Sequence, residues 1–225
     1  MKKIQRIILL LSASLFSYCI NAQTVNWANL NQKQKNIINL NAGIDYSISY
    51  GAGYGYLLKT KLPVLLNAEF SVPAGNNLID DYKSKLGAQI NLYKTDNVFF
   101  AAKLQGEIRR YKNDLATLLN FGSDISGTTG YYKKHWFIAA EAGFDKAIVT
   151  HFKSSDAGKA NFPGIQNGWY QPSTGGNFYY GINAGLSWQK FDVYAKAGKT
   201  ITQNFSNVPF IPFFAQIGLN IKFGH

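Results

Sequence analysis

The chain has 225 residues, a formal charge of +11, one Cys and one Met. Its mean hydropathy of −0.14 excludes a protein built from membrane-spanning helices. The length suits one domain, and the 15% of aromatic residues together with 21 Gly favour strands and tight turns over helices.

Met1 to Ala22 reads as a secretory signal peptide. Lys2, Lys3 and Arg6 form a basic start, Ile7 to Phe16 an apolar stretch, and Ile20-Asn21-Ala22 an imperfect cleavage site because Ile is bulky for the first position. Cleavage near Ala22 leaves Gln23 as the new terminus. Two other readings stay open. One is an uncleaved anchor, although the apolar run is about half of the roughly 20 residues a spanning helix needs. The other is lipid attachment at Cys19, where Tyr18 stands in place of the small residue such a site wants. With Cys19 in the leader, the remaining chain can form no internal disulfide.

Residues 23–36 are polar and rich in Asn and Gln, a short lead-in. From Ile38 to Tyr56 every even position is apolar, alternating with Asn, Gly, Ser and Asp45. A period of 2 sustained this long is a strand. The run is too long for one spanning strand of about 9–11 residues, so it bends into two strands or projects from the membrane. The glycines of Gly51-Ala52-Gly53-Tyr54-Gly55 lie within this run and open no helix, so they read as small inward positions and not as a phosphate loop.

Leu62 to Val72 continues the alternation, with Glu69 on the polar face, and Pro73 to Asp81 is a loop. Lys85 to Leu92 and Val98 to Arg109 flank the polar turn Lys94-Thr95-Asp96-Asn97, and their polar faces carry Lys85, Lys103, Glu107 and Arg109. A weaker strand covers about Thr117 to Gly127. Trp136 to Asp145 alternates clearly, with Glu141 and Asp145 on its polar side. Lys153 to Gly176 reads as a long loop. Phe178 to Trp188 and Val193 to Ala197 form a further pair of strands, and Lys199 to Pro212 another loop. Phe213 to Phe223 is the last strand, with Lys222 on its polar face.

Three features favour lipid over a water-soluble sandwich. The polar faces hold small and amide residues mixed with opposite charges. Each strong strand has one wholly apolar face. Aromatics recur ten residues apart, Phe178 with Trp188 and Phe213 with Phe223. At a tilt near 40° that spacing rises about 26 Å, close to the roughly 25 Å apolar band between aromatic girdles. Trp136 belongs to the same expected set of interface aromatics. Short turns alternate with longer loops, as in outer-membrane barrels.

The leader, the alternating strands and the last strand ending near Phe223 resemble bacterial outer-membrane β-barrel proteins, notably the small OmpA/OmpX-type group. The resemblance covers residues 37–225 and rests on pattern, with no diagnostic motif. It implies recognition of the final aromatic residue by the barrel-assembly machinery, although here Gly224 and His225 follow Phe223. The expected fold is all-β, a single antiparallel transmembrane barrel of about ten strands, with eight as the alternative.

The lumen is the expected site. Asp45, Glu69, Lys85, Lys103, Glu107, Arg109, Glu141, Asp145, Lys196 and Lys222 point inward if the apolar faces point out. Both signs occur, so ion pairs filling the interior are expected, with a narrow conduit for ions or small solutes as the alternative. A membrane hydrolase is a second alternative. Its only local hint is His151 beside Ser154 and Ser155, residues that an odd separation can place on opposite faces. Three scattered His and no Cys outside the leader make no metal site, and no cofactor is expected.

Removing the leader's three positive residues from +11 leaves +8. An exported barrel meets no nucleic acid, so the rim lysines are expected to face anionic lipid head groups. Tyr131 to Trp136 reads either as an interfacial anchor or as a solvated turn. The expected role is structural or surface interaction in the outer membrane, with loop 153–176 as a candidate contact surface for an extracellular partner.

Overall fold

The computed structural model describes residues 24–31, 33–75, 79–173, 175–205, 209 and 211–224. The leader, its cleavage site, Cys19 and His225 lie outside the described residues. Among the described residues, eleven strands follow a 3-10 turn at Trp27–Asn29. They are β1 (Asn36–Ile44), β2 (Ile48–Leu58), β3 (Val64–Pro73), β4 (Asp81–Thr95), β5 (Val98–Lys112) and β6 (Ala116–Lys133). After these come β7 (Trp136–Ser154), β8 (Gly168–Tyr170), β9 (Gly176–Ser187), β10 (Phe191–Thr202) and β11 (Phe213–Phe223).

Ten of the strands close into an antiparallel barrel. β1 pairs with both β2 and β11, joining the first strand to the last, with Asn36 opposite Phe223 and Ile44 opposite Ala215. β6 pairs with β7, which completes the ring. The three-residue β8 lies outside the ring and pairs with the far end of β7. The long run at 37–57 does divide into two strands, at a bend over residues 45–47.

The barrel has two unlike ends. The terminal rim carries the N-terminal segment, the end of β11 and the turns between β2 and β3, β4 and β5, β6 and β7, and β9 and β10. The distal rim carries the remaining connections. Several expected boundaries shift there. The weak strand at 117–127 runs over all of Ala116–Lys133, and its partner continues to Ser154. Gly and Ser hide the alternation of β6, but pairing with β5 and β7 satisfies its backbone on both sides. The stretch 153–176 contains a one-turn helix at Asp156–Asn161, capped by the Ser155 hydroxyl, and then β8. β10 likewise extends to Thr202, past the expected loop start.

The surface is inverted relative to a water-soluble protein. Leu86, Leu104, Ile182 and Ile217 are 70%, 60%, 58% and 66% exposed, whereas Lys222 and Asp192 are 1% and 0% exposed. Charged side chains go inside and branched apolar ones outside, the reverse of burial in water. A continuous apolar wall around a closed ladder fits hydrocarbon, where closure leaves no backbone N–H or C=O unpaired. The chain is therefore a transmembrane β-barrel.

Candidate functional site

The lumen is built in two layers. At the terminal rim a set of inward positions is apolar: Ile37, Leu57, Leu65, Phe99, Tyr132 and Phe137 are all buried, beside the buried polar residues Ser187, Asp192 and Lys222. Val25 and Trp27 enter from the N-terminal segment and complete this cluster. Asn26 anchors the segment by donating to the Lys133 carbonyl and the Ser187 hydroxyl, each at 2.8 Å. Asn29 donates to the Trp188 carbonyl, and Asn220 donates to the Thr24 carbonyl. The polar lead-in thus contributes two apolar residues to the lumen, and residues 24–29 enter this end of the barrel as a plug. Composition hides this because two apolar residues among Asn and Gln suffice once the barrel wall supplies their partners.

The second layer is polar and lies distal to the plug. Asn39 links Tyr194 and Asn220 by hydrogen bonds of 2.9 and 2.8 Å. Gln105 donates to Asn67 and to Glu69. Lys103 pairs with Glu141 at 3.5 Å, and Asn183 donates to the same carboxylate. Lys85 bridges Asp124 and Glu107, while the Tyr179 hydroxyl donates to Asp124 at 2.7 Å. Nearer the distal rim Lys83 meets Asp45 at 3.0 Å and Glu107 at 3.9 Å. Arg109 meets Asp81 at 3.4 Å and stacks 4.5 Å above the Tyr46 ring. Many of these contacts skip a strand, as Lys85 of β4 with Asp124 of β6 and Lys103 of β5 with Glu141 of β7, and they hold opposite charges together where little water screens them.

These layers enclose a chamber of about 380 Å3 lined by Asn41, Lys83, Lys103, Asp124, Asp145 and Lys196 among others. Nine of the ten lumen residues named from the sequence line it or reach it through the network; Lys222 stands apart. Lys222 is near the terminal rim, where its ammonium meets Asp192 at 2.7 Å and the Trp188 carbonyl at 3.1 Å. Lys196 and Asp145 make no ion pair within 4 Å among the described residues, and the Lys196 ammonium sits 5.8 Å from the Phe214 ring. Sequence reasoning missed Lys83, Asp81, Asp124 and Asp192. Parity would have found Asp192, two residues from Tyr194 and four from Lys196. Asp124 was obscured by the weak alternation of β6, and Lys83 by its nearness to a loop.

The five aromatics expected at the membrane interface lie on the outer wall. Trp136, Trp188 and Phe223 are at the terminal rim, and Phe178 and Phe213 at the distal one. Trp136 packs against Tyr131 at 5.6 Å and Trp188 stacks on Phe191 at 4.9 Å. Phe178 lies between Phe144 and Phe205.

The residues behind the hydrolase alternative are engaged elsewhere. His151 packs on Trp169 at 4.8 Å, and the Ser155 hydroxyl donates to the Asp114 carbonyl. Ser154 donates to the Ser155 carbonyl. Among the described residues, no cluster of His, Cys, Asp and Glu has a metal-holding arrangement.

No family model matches the chain, and no curated protein matches it. Solved structures do. A KdgM porin in complex with disordered oligogalacturonate is 10% identical, with TM-score 0.41, over 83% of this chain and 99% of that chain. A KdgM porin structure is 9% identical, with TM-score 0.42, over the same shares. The barrel assignment rests on this chain's own strand pairing and inverted surface.

Proposed function

We propose that the chain is an outer-membrane β-barrel, non-enzymatic, with its ends in the periplasm, acting as a structural or surface-interaction protein. In this reading the leader exports the chain, and the barrel-assembly machinery inserts it, engaging the strand that ends at Phe223. One observation carries the reading. The plug of Val25 and Trp27 against Ile37, Leu57, Leu65 and Phe137 is buried, so the lumen has a floor. The distal loops support a contact role: Phe162, Trp169 and Tyr170 are 57%, 59% and 48% exposed on the projection formed by the helix and β8. Exposed aromatics on an ordered projection suit a partner surface.

A second reading is a narrow channel that opens when the plug leaves. It is favoured by the chamber above the plug, and by the plug's attachment through hydrogen bonds and packing alone. Planar-bilayer conductance separates the two. Inserted wild-type protein is expected to be silent, and steady discrete openings would replace the first reading with the second.

A further inference from the structure

We infer that the terminal rim is a seat for anionic phospholipid, its lysines contacting the phosphate groups of the leaflet that meets it; the inference rests on the membrane reading above. Three of the four turns on this rim carry lysine, and β4 carries one just before the fourth. Lys59 and Lys61 lie between β2 and β3, Lys94 at the end of β4, Lys133 and Lys134 between β6 and β7, and Lys190 between β9 and β10. Lys33 and Lys35 extend the series in the N-terminal segment. Against them stands Asp96, the only carboxylate among the described residues of these turns and of that segment.

The supply of carboxylates distinguishes the two rims. Among the described residues none of these terminal-rim lysines makes an ion pair within 4 Å. At the distal rim Lys83, Arg109, Arg110, Lys112 and Lys159 each have an aspartate partner, while among the same described residues Lys146, Lys153 and Lys199 make no ion pair. The terminal rim is therefore the end where positive charge stands almost without carboxylates. The lysines encircle that end and do not converge on a pocket, which suits a surface of phosphates better than one small ligand. Aromatic rings lie just inside the circle: Tyr131, Trp136, Trp188 and Phe191 are paired on the outer wall, and the Lys133 ammonium lies 5.6 Å from the Tyr131 ring. Rings at the depth of the head groups with ammonium groups just beyond them form a lipid-interface arrangement. Lysines near an anionic surface add their attractions, so a ring of them discriminates between charged and zwitterionic lipid.

The test uses the refolded barrel in vesicles made of equal parts phosphatidylglycerol and phosphatidylcholine. Insertion is checked by heat-modifiable gel migration. The protein is then extracted in mild detergent, and the lipid that accompanies it is quantified by mass spectrometry. Phosphatidylglycerol is expected to be enriched by roughly tenfold or more. The variant carrying Lys59→Gln, Lys61→Gln, Lys133→Gln and Lys134→Gln is expected to lose the enrichment, while a distal-rim variant with Lys112→Gln, Lys153→Gln and Lys159→Gln keeps it. If the first variant does not insert, wild-type protein extracted at about 1 M salt, where screening reaches within about 3 Å, serves instead and is expected to lose the enrichment. Equal uptake of both lipids by the wild type overturns the inference. Enrichment that survives the terminal-rim changes or the high salt, or that falls equally with the distal changes, also overturns it. Failure of wild-type protein to insert would sink the membrane reading itself, and the inference with it.

Discussion

Lys222 shows how much the interior of this barrel depends on pairing. Its side chain is 0% exposed and that of Asp192 is 1% exposed. Replacing Lys222 with Met strands a buried carboxylate, which costs about 3–5 kcal/mol. Urea unfolding in lipid is expected to show that loss, and the double change Lys222→Met with Asp192→Leu to recover most of it. A size rule applies at Gly218, directly opposite Tyr194 in the β10–β11 register. A Cβ there would fall 2.3 Å from the Tyr194 ring, so Gly218→Val is expected to destabilise by about 1–3 kcal/mol in the same assay. Gly75, with nothing within 4 Å of its would-be Cβ, is a neutral control as Gly75→Ala. Asp45, in the bend between β1 and β2, gives a pH signature. Desolvation works to raise its carboxyl, but the ammonium groups of Lys83, Lys85 and Lys196 outweigh it and hold the group at about 2, below the ordinary 3.8. The folded pKa is depressed, so this stabilisation is complete above 3.8 and is lost as pH falls through about 2. Urea midpoints measured down that range are expected to fall less steeply for Asp45→Asn than for wild type. The inward side of Lys222 and Asp45 was readable from parity. The pairings were not, because parity gives a residue's face and not the register that sets Lys222 beside Asp192 and Lys83 beside Asp45.

At the scale of elements, the hairpins and the plug follow different rules. The strands hold their register through directly opposed pairs of large and small inward residues: Tyr194 with Gly218, Tyr179 with Gly143, Phe137 with Gly185 and Phe214 with Gly198. In each, an aromatic ring lies over the bare backbone of the next strand, which fills the lumen and pins the pairing. The apolar outer faces of β1, β2, β5 and β11 were plain in the sequence because lipid demands alternation without interruption. β6 was only partly legible, since Gly122, Ser123, Gly127 and Gly130 carry too little side chain to show a period. The plug was not legible at all: Trp27 in a polar stretch acquires a meaning only beside Ile37, Leu57 and Phe137. Deleting residues 24–30 is expected to convert silent protein to one with discrete conductance in planar bilayers, with the barrel still heat-modifiable on gels. Silence of that inserted variant would show that the charge network above the plug also closes the lumen.

At the scale of the whole molecule, one surface inversion and one charge asymmetry describe the barrel. The apolar wall places it in lipid, Val25 and Trp27 pack inside one end of the lumen, and lysines with a single nearby carboxylate mark the rim at that end. The sequence by itself determined the all-β class, the inward and outward faces and the membrane habitat, because a period of 2 with one wholly apolar face has few other physical solutions. Tertiary structure alone decided which charges meet, that ten strands close the ring, and that a polar-looking segment packs inside it. Those outcomes depend on register and closure, which join residues as distant as Asn36 and Phe223 and leave no local trace in the chain.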